Sequence, residues 1–195
     1  MRSHVMSTSD IRAFWTALVE ERPRTSAVLR LMLLTAQRGG EVLGMRWADV
    51  DFSEGWWTIP EERSKNGLSH RVPLSPSALA LLENQRLLSS ESPWIFPNAS
   101  SLGPLAGIQK AVQRVRRRAG IELRGHDLRR TAASNMASMG VPRLVIARIL
   151  NHVETGVTAV YDRHSYDREK REALDAWGRR LEEIVRVKEE AETPR

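Results

Sequence analysis

Residues 125–161 read GHDLRRTAASNMASMGVPRLVIARILNHVETGVTAVY, and the rest of the chain is read as their support. His126 and Arg129 open the stretch, three residues apart on a predicted helix, so their side chains leave the same face. They lie in its first turn, where unpaired backbone N–H groups and the helix dipole favour an anion, and a phosphate fits such a place. Pro142 starts a second helix whose Val145, Ile146, Ile149 and Leu150 form an apolar face. Asn151-His152 follows, a further short helix is expected at residues 155–161, and the stretch ends on Tyr161. Taken singly, each polar residue has a bland explanation as a surface pair or a rim tyrosine. Their order and proximity make the stretch informative.

Working outward, the basic residues lead straight into this stretch. The whole chain of 195 residues carries 30 Lys and Arg against 24 Asp and Glu, a net charge of +6. Residues 109–130 alone hold Lys110, Arg114, Arg116, Arg117, Arg118, Arg124, Arg129 and Arg130 against Glu122 and Asp127. A helix over residues 105–119, closed by Gly120, turns Ile108, Val112 and Val115 inward and leaves the basic side chains outside. Next to a phosphate-like site, that excess points to a polyanionic partner rather than to a merely solvated face. The absence of cysteine excludes disulfides, thiolate metal sites and a cysteine nucleophile, and is compatible with a reducing cytosol. No apolar run reaches the roughly 18 residues of a membrane span. Neither a metal-ligand spacing, a Gly-rich phosphate loop nor a dinucleotide fingerprint is present, so no metal and no cofactor are expected.

Upstream, Asp10 is expected to open a helix with Ile11, Phe14, Trp15, Leu18 and Val19 on one face, ending near Pro23. A second helix over residues 26–35 is apolar nearly all round and should be the buried centre. Arg38 follows it and precedes Gly39-Gly40, where a sharp turn is expected; Glu41 is placed to orient its guanidinium. Trp56-Trp-Thr-Ile59 and His70-Arg-Val-Pro-Leu74 read as strands, and Asn66-Gly67 between them puts Lys65 near the tip of a β-hairpin. Ser75-Pro76 caps a helix carrying Leu79, Leu81, Leu82 and Leu88, and Trp94-Ile-Phe96 is a further short strand. Past Tyr161, residues 162–195 are nearly neutral, and Leu174, Trp177, Leu181 and Ile184 form one narrow seam. The expected fold is mainly α with a small antiparallel β-sheet. Its expected organisation is a leader outside the fold at residues 1–8, a domain at 9–166 and a helical tail at 167–195. That tail packs either on its own domain or on a neighbouring copy.

The stretch at 125–161 resembles the C-terminal motif of the tyrosine recombinases, the phage integrase family. There, a His-x-x-Arg box is followed by Leu-Gly-His and, nine residues later, by a nucleophilic tyrosine. His126-Asp127-Leu128-Arg129, Leu150-Asn151-His152 and Tyr161 match it in order and spacing. Asn151 stands where glycine is usual, and asparagine is the next most tolerant residue of a left-handed backbone. Arg38 with Glu41 and Trp47 is similar to the family's first arginine motif. Ser64-Lys65-Asn66 ahead of Val72-Pro73-Leu74 is similar to the hairpin that carries its catalytic lysine.

The resemblance covers residues 9–176 and implies a catalytic set of Arg38, Lys65, His126, Arg129, His152 and Tyr161. It also implies an activity: site-specific cleavage and rejoining of double-stranded DNA through a covalent phosphotyrosine, without ATP or metal. Self-association on DNA, as a tetrameric synapse of the full-length protein, follows from the same resemblance. So does a cytoplasmic, nucleoid-associated location. The family usually has an N-terminal core-binding domain ahead of this one; none is visible here, so a catalytic domain lacking that DNA clamp is expected. Two other readings compete. One is a topoisomerase-like relative using the same chemistry; the other is a helix-turn-helix DNA-binding protein, suggested by the two short helices before Tyr161.

Overall fold

Helix α2 (Pro23–Thr35) is the axis on which the chain is assembled, because it buries residues around its whole circumference. The structure is a computed structural model and describes residues 4–89, 91–152 and 165–186. Around α2 lie α1 (Thr8–Ala17), α3 (Gly39–Leu43), α4 (Pro76–Ser89), α5 (Gln109–Ala119), α6 (Gly125–Ser138), α7 (Arg143–Ile149) and α8 (Asp167–Arg186). Strands β1 (Val50–Asp51), β2 (Trp56–Ile59) and β3 (His70–Pro73) form one antiparallel sheet in that order, with Trp57 opposite Val72 and Ile59 opposite His70. This is the mainly helical fold with a small sheet that the sequence predicts. The helix expected at residues 155–161 lies outside the described residues.

Several local expectations are corrected by packing. Helix α1 is capped by Ser7, whose hydroxyl accepts from the Asp10 N–H while the Asp10 carboxylate accepts from the Ser7 N–H. Residues 6–8, expected to lie outside the fold, are part of it: Met6 is buried and its N–H donates to Thr131 Oγ1 at 3.0 Å. Val19 falls in a short 3-10 turn after α1 and is exposed, so it leaves the apolar face assigned to it. Helix α5 begins at Gln109 rather than at Leu105. Trp94 makes only an isolated bridge to Arg46, yet Ile95 and Phe96 are buried without forming a strand.

The turn after α2 is also relocated. It is Ala36, at φ +57°, that adopts the left-handed conformation, while Gly39 and Gly40 form the first turn of α3. Gly39 is needed for space: a Cβ there would lie 3.2 Å from Met32 Cε and 3.3 Å from Ile108 Cδ1. A left-handed alanine costs about 1 kcal/mol, so its surroundings must hold it there. The reason appears at the candidate site, where the Ala36 carbonyl is held.

Helix α8 packs on its own chain, against α1, α2, α4, α6, α7 and β3. Its buried face is broader than the seam of four, adding Lys170, Ala173 and Gly178. Trp177 is fully buried and its indole N–H donates to the Leu33 carbonyl at 2.9 Å, one of the carbonyls left unpaired at the end of α2.

Candidate active site

Two arginines from distant segments meet where α2 ends and α6 begins. Arg38 caps α3; the Glu41 carboxylate accepts from the Arg38 backbone N–H at 3.1 Å and from its Nη1 at 2.9 Å. Glu41 is buried and Arg38 half-buried, so the guanidinium is fixed at the surface of the cleft. Arg129, on the first turns of α6, is almost wholly buried. Its Nη1 donates to the Ala36 carbonyl at 2.7 Å and its Nη2 to the Leu150 carbonyl. Arg129 thus ties the left-handed turn before Arg38 to the end of α7. Burial, then the neighbouring Arg38 charge, pull its pKa down to about 10, with Glu41 opposing, so it stays cationic at neutral pH.

The last carbonyls at the end of α7 and just beyond it, from Ile149 to Asn151, are satisfied by side chains of other elements. The Ile149 carbonyl accepts from Gln37 Nε2 at 2.8 Å and from His70 Nε2 at 3.1 Å, the Leu150 carbonyl from Arg129, and the Asn151 carbonyl from Asn66 Nδ2 at 3.1 Å. Such carbonyls would otherwise be orphans of the helix terminus. Asn151 takes a left-handed conformation at φ +48°, as its place after a helix suggests, and directs the chain to His152. Its side chain reaches the segment between β2 and β3. Asn151 Nδ2 donates to Ser64 Oγ and to Asn66 Oδ1, each at 3.1 Å, and Ser64 Oγ donates to Asn66 Oδ1 at 2.8 Å. Lys65 sits between those two residues and is exposed. The segment is longer than a two-residue hairpin turn: it contains a 3-10 turn at Glu61–Arg63 before Gly67 bends it at φ +68°.

A cleft of about 660 Å³ is lined by Arg38, Lys65, His126 and Arg129, and also by Arg116 and Arg124. His126 lies in the first turn of α6, where the helix end adds positive potential. Desolvation, then Arg130 and Arg129, push its pKa below the ordinary histidine value, against the pull of Asp127. His152 is absent from the cleft lining but shares its electrostatics. Its pKa is lowered by desolvation first, then by Arg129, Arg38 and His126. Both imidazoles are therefore neutral at neutral pH, one nitrogen free to accept and the other to donate. Tyr161 lies outside the described residues, so the site is described without it. Among the described residues, no group of three or more His, Asp or Glu is placed to hold a metal ion.

The basic run divides in two. Arg114 and Arg118 face the end of α1 and the 3-10 turn after it: Arg114 Nη2 lies 2.6 Å from Glu21 Oε2, Arg118 Nε 2.8 Å from Glu20 Oε2, and Arg118 Nη1 donates to the Ala17 carbonyl at 2.9 Å. The Glu21 carboxyl, buried, is held below the usual range chiefly by its hydrogen bond from Arg114. These two are structural ties between α1 and α5 and are not brought to the cleft. Arg116 pairs with Glu122 at 2.5 Å, Arg130 with Asp127 at 3.4 Å, and Lys110, Arg117 and Arg124 are exposed.

Two positions that support the cleft escape the sequence reading. Gln37 is fully buried between the Thr35 and Ile149 carbonyls, and His70 lies buried behind the cleft. His70 reads only as part of a strand, and Gln37 belongs to no local pattern.

The sequence profile described as the phage integrase family matches residues 4–168. Prophage integrase IntA of Escherichia coli is 34% identical over 156 residues, covering 78% of this chain and 38% of IntA. This chain spans about half the length, or less, of the curated relatives it matches first, 38%, 44% and 56%. Among solved structures, the integrase from mycobacterium phage Brujita superposes with a TM-score of 0.70 at 18% identity, over 94% of this chain and 64% of that one. A lambda integrase tetramer bound to a Holliday junction gives 0.64 at 19%, over 86% of this chain and 50% of that one. The two structures share this fold; the profile match, covering nearly every element that builds the cleft, shows more, and the chain belongs to the phage integrase family.

Proposed function

We propose that this chain is the catalytic part of a site-specific DNA recombinase that cuts and rejoins duplex DNA through a covalent 3′-phosphotyrosyl intermediate on Tyr161. The observation that carries the reading is the cleft that gathers Arg38, Lys65, His126 and Arg129 from separate segments of the chain. In this reading the Tyr161 oxygen attacks phosphorus as the bond to the 5′ oxygen breaks. The phenol, with an unperturbed pKa of about 10, gives its proton to His126, whose lowered pKa keeps it free to accept one. Lys65 protonates the departing 5′ oxygen. Arg38 and Arg129 hold the non-bridging oxygens of the five-coordinate transition state, and His152 donates to one of them. One phosphodiester replaces another, so the step is reversible without ATP; attack by a 5′ hydroxyl of another strand gives recombination.

Lys110, Arg116, Arg117, Arg124 and Arg130 are the side chains we assign to the DNA backbone. Further copies assemble on the DNA, four to a synapse, in the manner of the lambda integrase tetramer on its junction. The site of action on this reading is the cytoplasm, at the nucleoid. Among the described residues no helix is long and apolar enough to cross a membrane.

The test is covalent capture on a nicked suicide duplex carrying an attachment-like site. The expected adduct maps to Tyr161, and Tyr161→Phe abolishes it while DNA affinity is nearly unchanged. Tyr166 is not expected to substitute, since it packs against the core with Arg148 over its ring at 5.3 Å. An adduct on Tyr166 overturns the assignment, and binding without any adduct favours a helix-turn-helix protein. Supercoil relaxation without strand exchange favours the topoisomerase-like reading.

A further inference from the structure

We propose that Asn151 is a positioning residue for Lys65, latching the segment that carries the lysine onto the end of α7; the inference rests on the recombinase reading above. Glycine at this position supplies the left-handed backbone and nothing more. Asparagine supplies the same backbone, at φ +48°, together with an amide that closes a network. The two N–H bonds of Asn151 Nδ2 go to Ser64 Oγ and Asn66 Oδ1, and Asn66 Nδ2 returns a bond to the Asn151 carbonyl. Asn66 Oδ1 also accepts from Ser64 Oγ at 2.8 Å and from the Leu68 N–H at 3.2 Å. Both neighbours of Lys65 are thereby held, while Lys65 itself stays exposed beside the cleft. Because Asn151 directly precedes His152, the latch sets the lysine at a fixed offset from the histidine that touches the same phosphate. An unlatched exposed segment would have to be ordered in every turnover, and misplacing a catalytic group by about 1 Å can cost on the order of 10²-fold in rate.

The test uses Asn151→Gly, which keeps the left-handed backbone and removes only the amide. Two nicked duplexes are compared, one ordinary and one with sulfur in place of the bridging 5′ oxygen at the scissile position. With oxygen, the P–O bond breaks as Lys65 gives its proton to the leaving alkoxide. With sulfur, the P–S bond breaks and a thiolate leaves, which needs no proton because thiols ionise near pH ~8.5. Asn151→Gly is expected to cleave the oxygen substrate about 10-fold more slowly than the parent chain, within the range such misplacement produces. It should match the parent on the sulfur substrate and bind DNA equally well. In the free protein, the Gly67 and Leu68 amides should exchange with solvent faster than in the parent. A variant as fast as the parent on oxygen, a deficit that persists on sulfur, or unchanged amide exchange overturns the inference. A parent chain that forms no adduct on either substrate overturns the recombinase reading itself, and faster amide exchange in the variant would still report the latch.

Discussion

At the scale of single residues, Arg38 and Arg129 differ in how they are held, and the difference sets what each loses on substitution. Arg129 donates to two backbone carbonyls and is buried, so it supports the turn at Ala36 and the end of α7 as well as facing the cleft. Arg38 rests on one carboxylate, that of the buried Glu41, whose charge it neutralises. Arg38 is the second cause, after burial, of the depressed Arg129 pKa, so an anion beside the pair relieves a repulsion already present. Arg38→Ala is therefore the cleaner probe. We expect it to slow adduct formation on the order of 10²-fold or more with DNA affinity nearly unchanged, and to lower the thermal midpoint, because the buried Glu41 carboxylate loses its counter-ion. Arg117→Ala, on an exposed side chain away from the cleft, should do the reverse: weaker binding and a salt slope reduced by about 1, with cleavage at saturating DNA intact. Filter binding across a salt series and single-turnover cleavage check both. If Arg38→Ala lowers affinity as much as Arg117→Ala while cleavage of bound DNA is unaffected, the two-arginine clamp is wrong.

At the scale of elements, the end of α7 decides whether the site is assembled, and β3 contributes to it through His70. The imidazole is buried, donates from Nε2 to the Ile149 carbonyl, and is held neutral because the charges that act on it are cations. Its pKa is pushed down to about 4, first by desolvation and next by the Lys170 ammonium, with Arg129 and Arg38 adding to it and the Ile149 bond opposing. The folded pKa lies below that of the unfolded chain, about 6.5, so stability is complete above pH ~6.5 and falls as the unfolded state takes up the proton. Between pH ~6.5 and ~4 this one group should remove about 3 kcal/mol. His70→Asn, which does not titrate in this window, should flatten that limb of the urea midpoint against pH. An unchanged limb would place the acid sensitivity elsewhere. The same element shows where the sequence ceased to be legible. Arg38, Lys65, His126 and Arg129 could be picked out because each belongs to a local pattern of residue types. Gln37 and His70 could not, because what they recognise is a main-chain carbonyl far along the chain, and a carbonyl has no letter in the sequence. The turn was missed for a related reason: a left-handed alanine is held by Arg129, and no local propensity announces it.

At the scale of the whole molecule, the question is whether α8 is an appendage or part of the core. The sequence suggests a narrow seam because only Leu174, Trp177, Leu181 and Ile184 count as apolar at helical spacing. In the fold, the stripe is widened by residues that such a count leaves out. Lys170 is buried because its ammonium donates to the Arg71 carbonyl at 2.9 Å and lies 2.9 Å from Asp167 Oδ1. Gly178 is buried because α8 comes so near to Ser75 that a Cβ would lie 3.0 Å from its side chain. Arg12 Nε donates to the Ile184 carbonyl at 2.7 Å, which joins the first helix to the last, and β3 packs along the same helix. Removing α8 would uncover α1, α2, α4 and β3 together, and β3 carries His70. A chain ending at Tyr166 is accordingly expected to lose its cooperative thermal transition rather than to persist as a folded domain with weaker self-association. Because a truncation can fail for other reasons, Trp177→Ala gives the graded version. It empties a fully buried site and leaves the Leu33 carbonyl without its donor, so the cost should be about 3–5 kcal/mol. Urea unfolding followed by circular dichroism measures it. A loss below about 1 kcal/mol, or a truncated chain that still unfolds cooperatively, would mean that α8 leaves this surface and finds its place on another copy.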